Sequence, residues 1–118
     1  GHHPHVIQPV EWISSGGRRG LVAYSLGNFI SNQNRIYKDG DAAKDGDERD
    51  ELMLDVTFEG GRILSVRAVP LWVENNWRER RSGKAARREI RVRKLAPADA
   101  VRRGRIAEAV GAGVPLAP

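Results

Sequence analysis

The 118-residue chain contains no cysteine, which excludes disulfide bonds, thiolate metal ligands and cysteine nucleophiles. Aromatic residues make up only 6% of the chain, and no apolar run approaches the roughly 20 residues that a membrane-spanning helix needs. Residues 1–5 show neither the basic start nor the apolar run of a signal peptide, so no targeting signal is expected within this sequence. The remaining composition, 40% hydrophobic and 30% charged, is typical of a folded domain.

The positive charge is concentrated in one segment. The whole chain carries a net charge of +5, whereas residues 78–94 alone hold nine basic and two acidic side chains. We therefore divide the chain into residues 1–77 and a basic segment with a C-terminal helix and tail, residues 78–118. An anionic polymer is the ligand that such a segment suggests, and nucleic acid is the weaker candidate because no aromatic residue for base stacking lies within it. The candidate anion-binding residues are Arg87, Arg88, Arg91 and Arg93, and a purely solvated face is the alternative interpretation.

Alternating apolar residues predict a β-hairpin. The alternation covers residues 51–59 and 62–69, and Gly60–Gly61 between them can supply the positive φ angles of a tight turn. Leu64, Val66 and Ala68 are expected to share one face of the returning strand. Residues 21–26 are apolar on both faces and predict a buried strand.

The rest of the chain gives weaker secondary-structure signals. The expected fold class is α/β (α+β), rich in strands, with a hairpin at about residues 51–69 and a C-terminal helix. The remaining predictions are a turn or loop at 14–20, an exposed loop at 31–51, an edge or terminal strand at 71–73 after Pro70, a one-sided strand at 89–95, a helix at 97–110 with an apolar stripe of Val101, Ile106 and Val110, and a frayed tail at 111–118.

All three histidines lie within the first five residues. Imidazole is a ligand for metals such as zinc, manganese and iron. Pro4 favours an extended conformation at His3, so His3 and His5 can project to the same side and meet one metal centre or two adjacent ones. Two imidazoles do not complete a site, because catalytic zinc takes three protein ligands and structural zinc four. The alternatives are an exposed cluster without function and the remnant of a purification tag.

A second candidate site is the end of the strand around residues 24–30. Gly27 lets the backbone turn sharply, and Asn28 then places an amide at the edge of the sheet. Active-site rims of α/β proteins often lie at such edges. The alternative is an ordinary transition from strand to turn. Ser25 lies in no recognisable nucleophile elbow, so we do not propose a serine hydrolase.

Taken together, these segments resemble the C-terminal part of the CapA-type capsule (poly-γ-glutamate) synthesis family, a branch of the calcineurin-like metallophosphoesterases. The resemblance lies in the order and spacing of residues 1–6 and 24–29, followed by the strand at 51–58, the Gly60–Gly61 turn and Val69–Pro70. It covers about residues 1–73.

This resemblance implies a metallophosphatase-like α/β/β/α sandwich of which the chain supplies the last strands. It implies that His3 and His5 are metal ligands, with His2 in place of His3 as an open alternative, and that Asn28 lines the active site. The cofactors would be divalent ions (Mn, Zn or Fe), two in the complete fold, and this fragment alone need not hold them. The location would be the bacterial cell envelope, with membrane association.

The family's earlier motifs, a Gly-Asp strand end, an Asn-Asn-His segment and a His-Trp-Gly segment, have no counterpart in this chain. We therefore expect a catalytically incomplete polypeptide whose partner is the missing N-terminal portion of the same fold, and which self-associates through exposed strand faces. The expected function is poly-γ-glutamate capsule biosynthesis or export, with metal-dependent phosphatase-like hydrolase ancestry. The alternative is a non-catalytic module that binds an anionic polymer through residues 78–94.

Overall fold

The computed structural model describes residues 4–30 and 48–118. Within these ranges β1 and β2 form a two-stranded antiparallel sheet, and β3, β4 and β5 form a three-stranded antiparallel sheet with β4 in the centre. The mixed α+β class predicted from the sequence is confirmed. The elements, in chain order, are β1 (Val10–Ser15), β2 (Arg18–Ala23), β3 (Asp50–Glu59), β4 (Arg62–Asn75), α1 (Trp77–Arg81), β5 (Ile90–Lys94) and α2 (Ala100–Val110).

Residues 14–20, predicted as a turn or loop, belong to a β-hairpin. Its turn consists of Gly16 and Gly17, whose φ angles are 56° and 73°, and Ser15 pairs with Arg18 across it. Two consecutive positive φ angles give the turn whose twist matches that of paired strands. The predicted turn is present, but it is limited to two residues, and the polar residues on either side of it lie in β1 and β2.

The buried strand predicted at residues 21–26 is also shifted and only partly buried. β2 ends at Ala23, and none of its residues is fully buried. Leu26 continues only as an isolated bridge to Ile7. Because β2 belongs to a sheet of two strands, only one of its faces packs on the core, and apolar residues on both faces did not signify burial on both.

The hairpin predicted at about residues 51–69 is confirmed. β3 and β4 pair around Gly60 and Gly61, whose φ angles are 54° and 75°. A register shift between Thr57 and Phe58 makes Leu64 an extra residue in β4, which is a β-bulge. Leu64 is therefore 59% exposed, whereas Val66 and Ala68, which were expected on the same face, are buried.

β4 continues well beyond Pro70 and is the central strand. The prediction of an edge strand at residues 71–73 is wrong, because these residues lie between β3 and β5. A central strand can contain Pro70 because its missing N–H lies beyond the end of the ladder to β5. The ladder to β5 ends at the pair Leu71–Lys94, and just beyond it the Pro70 carbonyl accepts a hydrogen bond from the Leu95 N–H at 3.0 Å.

The core lies between the two sheets and α2. The one-sided strand predicted at 89–95 is confirmed as β5, in which Ile90 and Val92 are half-buried between exposed arginines. The strands and the basic C-terminal segment therefore share one core. Its buried members are Ile7, Val10, Leu52, Val66, Ala68, Leu95, Ile106, Val110 and Val114.

Helix α2 buries a narrower face than the sequence predicted. Ile106 and Val110 are 1% exposed, but Val101 is 82% exposed. Five residues at the helical rotation put Val101 about 140° away from Ile106, on the solvent side. The helix also begins at Ala100, so Pro97 precedes its first turn. Neither helix of the described ranges is long and apolar enough to cross a bilayer.

Residues 111–118 are packed and not frayed as predicted. Val114 and Ala117 are buried. The Ala68 N–H donates to the Pro115 carbonyl at 2.9 Å, and the Ala117 N–H donates to the Ala68 carbonyl at 2.8 Å. The tail therefore lines the edge of β4 on the side where β5 has ended, which its small apolar residues did not reveal.

The predicted exposed loop at 31–51 can be compared with the structure only in part. Residues 31–47 lie outside the described ranges. Glu48, Asp50 and Glu51 are buried, the last with no exposed surface, so the prediction is wrong for these residues. These acidic side chains were interpreted as residues of a solvated loop, but they are packed at the start of β3.

Exposed apolar side chains remain on the described surface, including Met53 at 47% and Phe58 at 65%. Self-association through such exposed side chains stays a prediction.

Gly104 and Gly113 give opposite expectations for substitution by alanine. Gly104 lies inside α2, where an added Cβ meets nothing within 4 Å. Gly104→Ala should raise the free energy of unfolding by about 1 kcal/mol in urea denaturation. At Gly113 an added Cβ would lie 2.8 Å from the Val10 carbonyl oxygen, so Gly113→Ala should lower it. Equal effects of the two substitutions would contradict this packing of the tail on β1.

Candidate functional site

The two sequence motifs meet at the beginning of β3. The Gln8 N–H donates to the Ser25 carbonyl at 3.0 Å, and the Leu52 N–H donates to the Leu26 carbonyl at 2.9 Å. The strand end around Leu26 is thus held between the N-terminal segment on one side and β3 on the other. This arrangement brings His5 next to Asn28, and Asn28 next to Glu48.

His5 and Asn28 are in direct contact although they lie 23 residues apart in sequence. The His5 Nδ1 atom is 2.6 Å from the Asn28 Oδ1 atom. The Asn28 Nδ2 group donates to the carbonyl oxygens of His5 at 3.3 Å and of Glu48 at 3.4 Å. An appended tag would not account for this two-way contact between the histidine and the fold.

The contacts of the Asn28 amide indicate which ring nitrogen of His5 carries a proton. The Nδ2 group faces two carbonyl oxygens, which require a donor, so Oδ1 is the atom that faces His5. An amide oxygen accepts hydrogen bonds and does not donate them, so His5 Nδ1 carries a proton. In the neutral ring the Nε2 lone pair is then available to a ligand.

The backbone around this contact is strained. His5 has a φ angle of 58° and Phe29 one of 61°, and they are the two non-glycine residues with positive φ in the described ranges. Such conformations cost of order 1–3 kcal/mol each and persist where surrounding contacts enforce them. Both strained residues therefore border the His5–Asn28 contact, which is the kind of place where functional sites store strain.

The Glu51 side chain holds the turn at residues 27–29 in place. This role was not predicted from the sequence. Its side chain is fully buried, and its Oε2 atom accepts a hydrogen bond from the Phe29 N–H at 2.7 Å. Gly27 packs against it with a φ of 88°, and an added Cβ there would overlap the Glu51 carboxylate. The only sequence signal was the position of Glu51 at the start of an alternating strand, which does not distinguish a buried carboxylate from an exposed one.

The other two histidines, His2 and His3, lie outside the described residues. Within residues 4–30 and 48–118, no group of three or more His, Asp or Glu side chains is arranged to hold a metal ion. The described residues alone therefore do not make a metal site, and the ligand role of His5 stays a prediction.

Two arginines of the basic segment form ion pairs with acidic neighbours. Arg91 forms an ion pair with Glu89 at 3.2 Å, and Arg93 pairs with Glu74 at 2.8 Å and with Asp99 at 2.9 Å. Hydrogen bonding from Arg93 lowers the pKa of Asp99, so this network keeps its charges. Two of the four predicted anion-binding arginines are thus already engaged.

The other two, Arg87 and Arg88, lie in the exposed connection between α1 and β5. The Arg87 carbonyl accepts a hydrogen bond from the Asn76 side chain at 2.9 Å, which holds this connection against the end of β4.

The fold and this junction define a small α+β chain whose candidate site is an imidazole held by an amide. Residues 1–33 of the chain match the family model described as "Bacterial capsule synthesis protein PGA_cap". The matched span includes both the His-rich turn and Asn28, and makes up 33 of the 118 residues. No curated protein and no solved structure matches the chain.

Proposed function

We propose that this chain belongs to a capsule-synthesis protein of the bacterial cell envelope, and that its His-rich turn contributes imidazole ligands to a divalent metal centre. The parent protein would act in the synthesis or export of poly-γ-glutamate, with metallophosphatase-like hydrolase ancestry. The match of residues 1–33 to a capsule-synthesis family supports the first part. The observation that carries the second is the hydrogen bond between His5 Nδ1 and Asn28 Oδ1.

Asn28 is the positioning residue of this proposal. Metal-binding histidines almost always donate their second ring N–H to a carbonyl, a carboxylate or water, which fixes the ring and its tautomer. The Asn28 Oδ1 atom accepts a hydrogen bond from His5 Nδ1, and the Asn28 Nδ2 group donates one to the Glu48 carbonyl. His5 Nε2 is then the ligating atom. Sequence reasoning made Asn28 a residue lining the site, and its role here is to orient the ligand.

The remaining ligands come from outside the described residues. His3, or His2 in its place, is the second imidazole, and the Asp, Asn and His residues of a two-metal centre belong to another part of the complete fold. When bound, a Mn, Zn or Fe ion in such a centre activates water for attack at a phosphate or amide group. The role of this chain is to present oriented neutral imidazole, and it is inactive by itself.

Loss of His5 tests the proposal directly. His5→Ala in the complete parent protein, which supplies the remaining ligands, should weaken zinc binding at least tenfold in calorimetric titration, because it removes the oriented Nε2 atom. Asn28→Ala should weaken it about 10- to 100-fold, the usual effect of removing a partner that orients a ligand. Unchanged zinc affinity in His5→Ala would refute the ligand assignment.

Asn28→Asp is the matched control, because a carboxylate retains the acceptor for His5 Nδ1. The ring tautomer should be read from the nitrogen chemical shifts of His5 in long-range ¹H–¹⁵N spectra. We expect Nδ1–H in the native chain and in Asn28→Asp, and a loss of this preference in Asn28→Ala. A preference that persists in Asn28→Ala would show that Asn28 has only a structural role.

A further inference from the structure

Two hairpin turns with the same sequence pattern border one groove. Gly16-Gly17-Arg18 closes the hairpin of β1 and β2, and Gly60-Gly61-Arg62 closes that of β3 and β4. In each case an arginine follows the turn directly. Residues of both turns line a groove of about 750 Å³, a volume in the range of about 300–1,000 Å³ that is usual for ligand-binding clefts.

The groove is strongly cationic. Three arginines line it, Arg18, Arg19 and Arg62, and none of its lining residues is acidic. Within residues 4–30 and 48–118, these three form no ion pair with a carboxylate, in contrast to Arg91 and Arg93 of the basic segment. Three guanidinium groups that face one space without acidic partners attract an anion.

The aromatic residues of the groove distinguish between possible anions. The Trp12 ring is covered by the Arg19 guanidinium, 4.2 Å from the ring centroid, and its indole N–H donates to the Gly113 carbonyl. Phe58, 65% exposed, is then the aromatic ring left open among the residues that line the groove. Single-stranded nucleic acid is bound by successive stacking surfaces, which one ring does not provide.

A chain of carboxylates fits the groove better. The planar guanidinium group binds carboxylates through two parallel hydrogen bonds. Arg18 and Arg62 come from different hairpins, so they can contact different carboxylates of one extended chain. The exposed ring of Phe58 offers an apolar surface to the methylene groups between those carboxylates.

We infer that the groove between the two Gly-Gly-Arg turns binds an extended polycarboxylate chain. The choice of a polycarboxylate among anions rests in part on the proposed function in capsule synthesis. The binding itself involves neither His5 nor a metal ion, because the groove residues are those of the hairpin turns. This anionic-polymer site is separate from residues 78–94.

The inference is tested with poly-γ-glutamate in the presence of EDTA, using the tryptophan fluorescence of the 118-residue chain to measure affinity. The double variant Arg18→Gln/Arg62→Gln should bind at least tenfold more weakly than the native chain. Arg78→Gln/Arg80→Gln is the matched control: it removes the same charge from the exposed surface of α1 and should change affinity less than twofold.

Three outcomes would overturn the inference. Equal weakening by both double variants would show that net charge alone is responsible. Tighter binding of oligodeoxythymidylate than of poly-γ-glutamate would assign the groove to nucleic acid, and no binding of either would leave it without a ligand. His5→Ala should bind the polymer like the native chain, so loss of the metal site and loss of the groove are measured separately.

Discussion

Asp50→Ala is expected to lower the free energy of unfolding by about 3 kcal/mol. Arg102 donates to Asp50 at 2.7 Å, and the two side chains are only 22% and 7% exposed. The Arg102 guanidinium also lies 3.3 Å from the ring centroid of Trp72, the register partner of Asp50. Removing one partner of such a pair costs about 3–5 kcal/mol when the pair is buried.

Asp55→Ala is the control for this prediction, because Asp55 lies on the same strand and also pairs with an arginine. That pair, with Arg67 at 2.9 Å, is 49% and 57% exposed, and surface pairs contribute about 0–1 kcal/mol. Urea denaturation of both variants measures the difference. If the two variants lost the same stability, the Asp50–Arg102 pair would not be what fastens α2 to the three-stranded sheet.

Gly27→Ala is expected to disrupt the candidate site as well as the fold. Alanine at a φ of 88° is strained, and its Cβ would lie 2.9 Å from the Asp50 carbonyl oxygen and overlap the Glu51 carboxylate. The strain costs about 1–2 kcal/mol, and displacing the carboxylate that holds the Phe29 N–H adds about 1–3 kcal/mol. The free energy of unfolding should fall by roughly 3 kcal/mol, and the ring nitrogen chemical shifts of His5 should change as well.

Gly16→Ala separates the strain from the crowding. Gly16 has a φ of 56° in an exposed turn where an added Cβ meets nothing within 4 Å. Gly16→Ala should lower the free energy of unfolding only by the cost of strain, about 1–2 kcal/mol, and should leave the ring nitrogen chemical shifts of His5 unchanged. If the two glycine variants behaved alike, the close packing of Glu51 beneath the turn would have no energetic significance.

The hairpins show where sequence patterns were sufficient. The hairpin at Gly60–Gly61 was predicted because alternating residues flank a glycine pair on both sides. Gly16–Gly17 carries the same turn signal, but only a turn or loop was predicted there, because Ser14, Ser15 and two arginines around it did not suggest strands. Their polar character reflects exposure at a hairpin tip, where paired strands need no apolar residues. A comparison of the two Gly-Gly-Arg sequences would have revealed the second hairpin.

The candidate site was predictable only in its parts. Histidine at position 5 and asparagine at position 28 each have a chemistry that the sequence displays, but their contact depends on the pairing of Ile7 with Leu26. Such pairing is a long-range property that local patterns do not encode. The burial of Glu51 is equally non-local, since it depends on the turn at Gly27 packing over it.

The bond from the Trp12 indole to the Gly113 carbonyl has a consequence for how the chain folds. The two residues are 101 positions apart. The first hairpin therefore acquires this packing partner only after Gly113 has left the ribosome. Contacts of such wide sequence separation slow folding, because the entropy of closing the loop is lost before they form. The C-terminal tail should thus be the last part of this core to dock during synthesis.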